Sequence, residues 1–109
     1  HEDATILEAI EAMINTDTDM VAVVNEDQQL IGIVTNGDLK RNMSSKDIKV
    51  DTVAEFVHYY PAFVDVSAKA IEALQVMADK HVHALPVVKE ERPIGVIERR
   101  EILKYGIYL

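Results

Sequence analysis

Apolar positions along this chain fall into two similar series. Leu7, Ile10, Met13 and Ile14 lie three, four and seven residues apart, which puts them on one face of a helix. Ile71, Leu74, Met77 and Ala78 repeat that stripe 64 residues later. Thr5 and Glu8 have the spacing of a capping box, with Asp3 competing as the N-cap, and Ser67, aligned with Asp3, is the N-cap candidate of the second helix. Each stripe is followed by a β-branched run, residues 21–24 or 85–88, a polar turn, 25–29 or 89–93, and a second run, 30–34 or 94–97. Continuous Val and Ile predict strands buried on both faces. A short helix closes each series, from about Gly37 and from about Arg99.

The order helix, strand, strand, helix, met twice, predicts an α/β fold. The alignment extends to identities: Glu8/Glu72, Ala9/Ala73 and Met13/Met77, then Val23-Val24 over Val87-Val88. At an offset of 63, Ile31-Gly32-Ile33-Val34 lies over Ile94-Gly95-Val96-Ile97. Residues 1–42 form the first copy, 43–60 a linker that is polar early and apolar late, and 61–109 the second copy, opened by a strand after Pro61. Each copy is too short to stand alone, so each is expected to bury its apolar face against the other. The Met and Leu positions read as core, where Met fills gaps.

Composition narrows the function. Apolar residues make up 49% of the 109, which is globular and not a disordered acidic tail. Eleven basic against nineteen acidic residues give a net charge of −8, and no basic stripe is present, so nucleic acid is not expected as a partner. There is no cysteine, which excludes disulfides, thiolate nucleophiles and Cys-ligated zinc. No apolar run approaches the roughly 18 residues that cross a bilayer, so no membrane partner is expected. The chain begins at His1 without a signal-peptide pattern and reads as a piece of a longer protein.

Catalytic patterns are missing. No Ser lies in a Gly-x-Ser-x-Gly elbow and no Gly-rich loop ends in Lys-Ser or Lys-Thr. His81-Val82-His83 would set two imidazoles on one side of an extended segment, but no third ligand is evident and no metal site is expected. His81 also fits the C-terminal end of the preceding helix. Thr35-Asn36-Gly37-Asp38 is the sharper signal, because it falls where a strand hands over to a helix. Unpaired N–H groups there attract anions, Thr35 offers a hydroxyl, and Asp38 can accept protons from two ribose hydroxyls. Gly32 and Gly37 would keep the backbone approachable. The plainer alternative is that Asp38 only stabilises the start of the helix.

Two copies of Ala-x-x-x-Met, Val-Val and, in the first, Ile-Gly-Ile-Val-Thr-x-x-Asp-Leu resemble the cystathionine β-synthase (CBS) domain pair, over residues 3 to about 106. The resemblance implies tandem βαββα-like repeats about a pseudo-two-fold axis, dimerising into discs, with the first copy lacking its opening strand. It implies a regulatory module, not an enzyme, that needs no cofactor. Its ligand would be an adenosyl or cytidyl nucleotide, or a nucleotide-sugar, in the cleft between copies. Carried over by position, Asp38 resembles the ribose-binding carboxylate and Thr35 its hydroxyl partner, with Asn36 and Gly37 beside them. His83, with His81 nearby, resembles the loop that reaches the phosphate. Glu98, Glu101 and Asp19 align with Thr35, Asp38 and His83, so the pseudo-symmetric counterpart is expected to repel phosphates. The run Gly37-Asp-Leu-Lys-Arg41 resembles the C-terminal CBS pair of arabinose 5-phosphate isomerases, which are cytoplasmic. Some sugar-phosphate nucleotidyltransferases carry similar pairs. The competing reading is an assembly module with an empty cleft, forming homodimers through leftover apolar faces.

Overall fold

A computed structural model of the chain gives the first apolar stripe as helix α1 (Ile6–Thr16). The structure describes residues 1–42, 44 and 46–104. Thr5 wins the N-cap: its Oγ1 accepts the Glu8 N–H at 3.1 Å, and its own N–H donates to Glu8 Oε1 at 3.1 Å. The helix ends at Asp17, in the left-handed region at φ 52°, where the N–H groups of Asp17 and Thr18 close onto the carbonyls of Ile14 and Met13. The buried face is Ile6, Ala9 and Met13. Ile14, expected in the stripe, is 71% exposed. It lies ~100° around the helix from Met13, which carries it past the edge of the face that Ile6 and Ala9 centre.

Strand β1 (Met20–Val24) pairs antiparallel with β2 (Leu30–Thr35), Met20 opposite Thr35. Asn25 folds the turn by accepting the N–H groups of Asp27 and Gln29 on its Oδ1 at 2.9 and 3.0 Å. Helix α2 (Asn36–Asn42) follows with no intervening loop. Residues 43–60, read from sequence as a linker, deliver Val53 and Phe56 to the core and then β3 (His58–Tyr59), which pairs antiparallel with β2, His58 opposite Ile33. The sheet order is β1-β2-β3. Ile6, Ala9, Met13, Val23, Val34 and Leu39 complete this core.

The second unit has its own sheet and core. Strand β4 (Val64–Asp65) pairs parallel with β5 (Ala84–Lys89), which pairs antiparallel with β6 (Arg92–Glu98), in the order β4-β5-β6. Helices α3 (Ala70–Lys80) and α4 (Arg99–Lys104) complete it, and Val64, Ala73, Leu74, Met77, Leu85 and Ile102 fill its core. The two compact units are His1–Pro61 and Ala62–Leu109.

Three expectations need correcting here. Ser67 does not cap α3, which starts at Ala70 after Lys69; the Ser67 hydroxyl and N–H both donate to Asp65 Oδ2 instead, building a turn before the helix. Strand β6 is not buried on both faces: the consecutive residues Ile94 and Gly95, which alternate between the faces, are both exposed, and a Cβ on Gly95 would meet nothing within 4 Å. The second turn is shorter than 89–93, since Lys89 pairs with Arg92 and only Glu90 and Glu91 turn the chain, at φ 51° and 68°. Two consecutive left-handed residues are what a primed hairpin turn requires.

The duplication holds at the level of single hydrogen bonds. Both long helices end in a left-handed residue, Asp17 or His81, with matching closing bonds. Both hairpins shift register at the same place, between Val23 and Val24 and between Val87 and Val88. The Asn36 N–H donates to the Asp19 carbonyl at 2.8 Å, and the Arg99 N–H donates to the His83 carbonyl at 2.8 Å.

Gly32 explains how β3 reaches β2. A Cβ at residue 32 would sit 2.4 Å from Val57 Cγ1 and 2.9 Å from the His58 carbonyl oxygen. The openness expected for a ligand at Gly32 is therefore taken up by the chain itself. Gly32→Ala should push β3 off the sheet and cost about 1–3 kcal/mol in urea unfolding, as other overpacked sites do.

Candidate ligand site at the strand–helix junction

The junction of β2 and α2 gathers Thr35, Asn36, Gly37 and Asp38, because the helix starts on the residue after the strand ends. Asn36 opens α2 and is tied through its N–H to Asp19, while Gly37 is exposed. Thr35 behaves as a cap: its Oγ1 accepts the Asp38 N–H at 3.3 Å and donates to Asp38 Oδ2 at 2.7 Å. The three-residue spacing thus stabilises the helix start and fixes a carboxylate beside a hydroxyl in one step.

Two further groups converge on that carboxylate. His58 Nε2 donates to Asp38 Oδ2 at 2.7 Å, and Arg41 Nη2 donates to Oδ1. Burial raises the carboxyl pKa of Asp38. The hydrogen bonds from Thr35 and His58, with the charges of His58 and Arg41, outweigh it and leave the group below its ordinary value. Asp38 is thus a charged acceptor at neutral pH, with a side chain only 14% exposed. Arg41 was within reach of sequence reasoning, since positions three apart on a helix are neighbours. His58 was not, because it lies twenty residues away on a two-residue strand without a repeat partner.

The other candidates lie in the second unit. His81 is the C-terminal cap of α3, at φ 57°, as its place after the helix predicted. It is not in an extended segment, so the shared side expected for His81 and His83 does not follow from strand geometry. Both line a cavity of about 530 Å³ with Leu74, Met77, Val82 and Arg99. Glu98, the counterpart of Thr35, is buried and paired with Arg100, whose Nε lies 3.2 Å from Glu98 Oε2. Part of the carboxylate charge expected to repel phosphate there is therefore balanced within the unit. Among the described residues, no group of three or more His, Asp or Glu is placed to hold a metal ion, and no helix is long and apolar enough to cross a membrane.

The family model for the CBS domain matches residues 1–45 and 53–108. An uncharacterised protein of Rickettsia prowazekii is 31% identical over 107 residues, covering 98% of this chain and 33% of that protein. An arabinose 5-phosphate isomerase of Pseudomonas aeruginosa is 32% identical over 90 residues, covering 81% of this chain and 28% of that enzyme. The chain thus spans about a third of the length of these relatives. Among solved structures, a CBS domain pair in complex with 5′-methylthioadenosine and S-adenosyl-L-methionine superposes with a TM-score of 0.82 at 20% identity, covering 97% of this chain and 84% of that one.

Proposed function

The chain belongs to the CBS domain family, and from that premise we propose that it is a regulatory module that binds an adenosyl nucleoside or nucleotide through a ribose diol. The observation that carries the reading is the Thr35–Asp38 pair: a hydroxyl 2.7 Å from a charged, mostly buried carboxylate at the end of a strand. A cis-diol offers two O–H donors to such an acceptor, and hydrogen bonds to a charged partner are among the stronger ones. Asn36 and Gly37 lie between the two contact residues and bound the ribose. The adenosyl ligands of the superposed CBS pair favour adenine among the bases. His83, with His81, is the second unit's own candidate for an anionic group.

The similarity to an arabinose 5-phosphate isomerase supports a sugar-phosphate isomerase as the parent, with this segment sensing a nucleotide or nucleotide-sugar product and biasing the attached catalytic domain. The module itself would carry no catalysis. A thermal-shift panel of adenosine, AMP, S-adenosylmethionine, CMP, GMP and a CMP-sugar tests the ligand class. A ligand at a hundred times its Kd adds about 2.7 kcal/mol of stability, a shift of several degrees for a chain of this size. Adenosyl ligands should raise the melting temperature, with one molecule bound per chain by calorimetry; a flat panel would remove the ligand reading.

A second reading has its own observation. Ile14 and Ile71, on the long helices, are 71% and 44% exposed. That favours homodimers through apolar helix faces, either alongside ligand binding or, with a flat panel, as the module's whole role.

A further inference from the structure

Asp38 is already engaged by three donors from the chain itself. Its Oδ2 takes the Thr35 hydroxyl and His58 Nε2, both at 2.7 Å, and its Oδ1 takes the Arg41 guanidinium. A carboxylate oxygen has about two lone-pair sites for donors. Three donors leave at most one of about four acceptor sites, so a diol can place both its hydroxyls on Asp38 only by displacing a resident donor.

The residents are not equally displaceable. Thr35 belongs to the helix cap and is held by the Asp38 N–H as well. Arg41 is on the same helix as Asp38 and keeps its charge at every pH a protein survives. His58 is 60% exposed and sits on a strand of two residues at the edge of its sheet. Its imidazole is also the group at this site whose class changes charge between pH 5 and 8. The charged and titratable groups around it are Asp38 and Arg41 on α2, with Tyr59 on its own strand bonded to Glu2.

We propose that His58 is a proton-controlled competitor for the ligand: charged, it holds Asp38 closed, and neutral, it yields the carboxylate to a diol. The competition rests on the ribose reading of Asp38, while the latch itself exists without any ligand. Protonation strengthens the resident bond, since a charged donor binds a carboxylate better than a neutral one. Asp38 stays ionised through the window, because its own pKa is lowered. Ligand affinity should then rise with pH.

Adenosine is the probe, because it carries no phosphate that would titrate over the same range. Calorimetry at pH 5.5 and 8.0 should find wild type about three- to tenfold tighter at pH 8.0, the scale of one partly exposed charge-assisted bond. His58→Ala should bind at pH 5.5 as tightly as at 8.0, and more tightly than wild type does at 5.5. His58→Gln, which keeps a neutral donor, should also lose the pH dependence. Wild-type affinity that does not change with pH, or a His58→Ala variant that binds more weakly at both pH values, would overturn the latch.

Failure of the ribose reading looks different: no form binds adenosine at either pH. The latch is then read from a ligand-free double-mutant cycle of His58→Ala and Asp38→Ala in urea. Coupling of about two- to fivefold in the unfolding constant is expected at pH 5.5, and less at pH 8.0. Absence of coupling at pH 5.5 would overturn the latch whatever the ligand does.

Discussion

Asp38→Ala is expected to weaken adenosine binding at pH 8.0 by about ten- to 150-fold, the equivalent of about 1.5–3 kcal/mol for hydrogen bonds to a charged acceptor. The loss comes from the ligand side, because the methyl group leaves two ribose hydroxyls without an acceptor. On the protein side Thr35 loses the acceptor for its hydroxyl, and His58 and Arg41 lose theirs, but both of the latter are exposed and rehydrate. Unfolding by urea should therefore move by no more than ~1 kcal/mol, the usual worth of such surface pairs. A large affinity loss with a small stability loss marks a binding residue; equal affinity removes Asp38 from the site. The acid behaviour has a defined sign. Folding lowers the Asp38 pKa, so its charge stabilises the fold above the unfolded value, and that gain is lost as the pH falls through the folded value. Asp38→Asn should lose this contribution at neutral pH, and its stability should fall less steeply than that of wild type on acidification.

The largest effect on stability is expected one residue on. Leu39→Ala should cost about 2–5 kcal/mol in urea unfolding, the range for deleting a large buried side chain and leaving its cavity. Leu39 is 0% exposed and packs in the first core with Ile6, Val34 and Phe56. A domain has only ~5–15 kcal/mol in total, so this single change puts the first unit near its limit. It also unseats α2, which carries Asp38, so adenosine binding should weaken in parallel with unfolding and recover on cooling towards the temperature of maximum stability. Asp38→Ala would not recover in that way. A Leu39→Ala chain that unfolds like wild type would contradict the packing described for this core.

Much of the fold was legible because it is written twice. Either hairpin alone is a short apolar run that helix and strand share, but two runs aligned with the same glycine and followed by the same short helix leave one interpretation. Thr5 and Glu8 gave the start of α1 correctly, since a capping box depends on residues three apart. What escaped was the unduplicated part. Val53, Phe56 and β3 lie in the segment between copies, where no repeat marks them, and a two-residue strand is too short to show alternation. Ser67 failed as a cap because α3 starts only at Ala70, after Lys69, and Ser67 is used in the preceding turn, where its hydroxyl and N–H donate to Asp65. At the site the same division holds: Thr35 and Asp38 were visible from their spacing, while His58 reaches Asp38 only through the pairing of β3 with β2.

The most direct test replaces a hydroxyl on the ligand instead of a residue on the protein. Adenosine and 2′-deoxyadenosine are titrated by calorimetry at pH 8.0 into wild type and Asp38→Asn. Wild type should prefer adenosine by about tenfold or more, and the preference should shrink in Asp38→Asn, where the charged acceptor is gone. Equal affinity of wild type for the two nucleosides, or a preference that survives Asp38→Asn unchanged, would contradict ribose recognition at this junction.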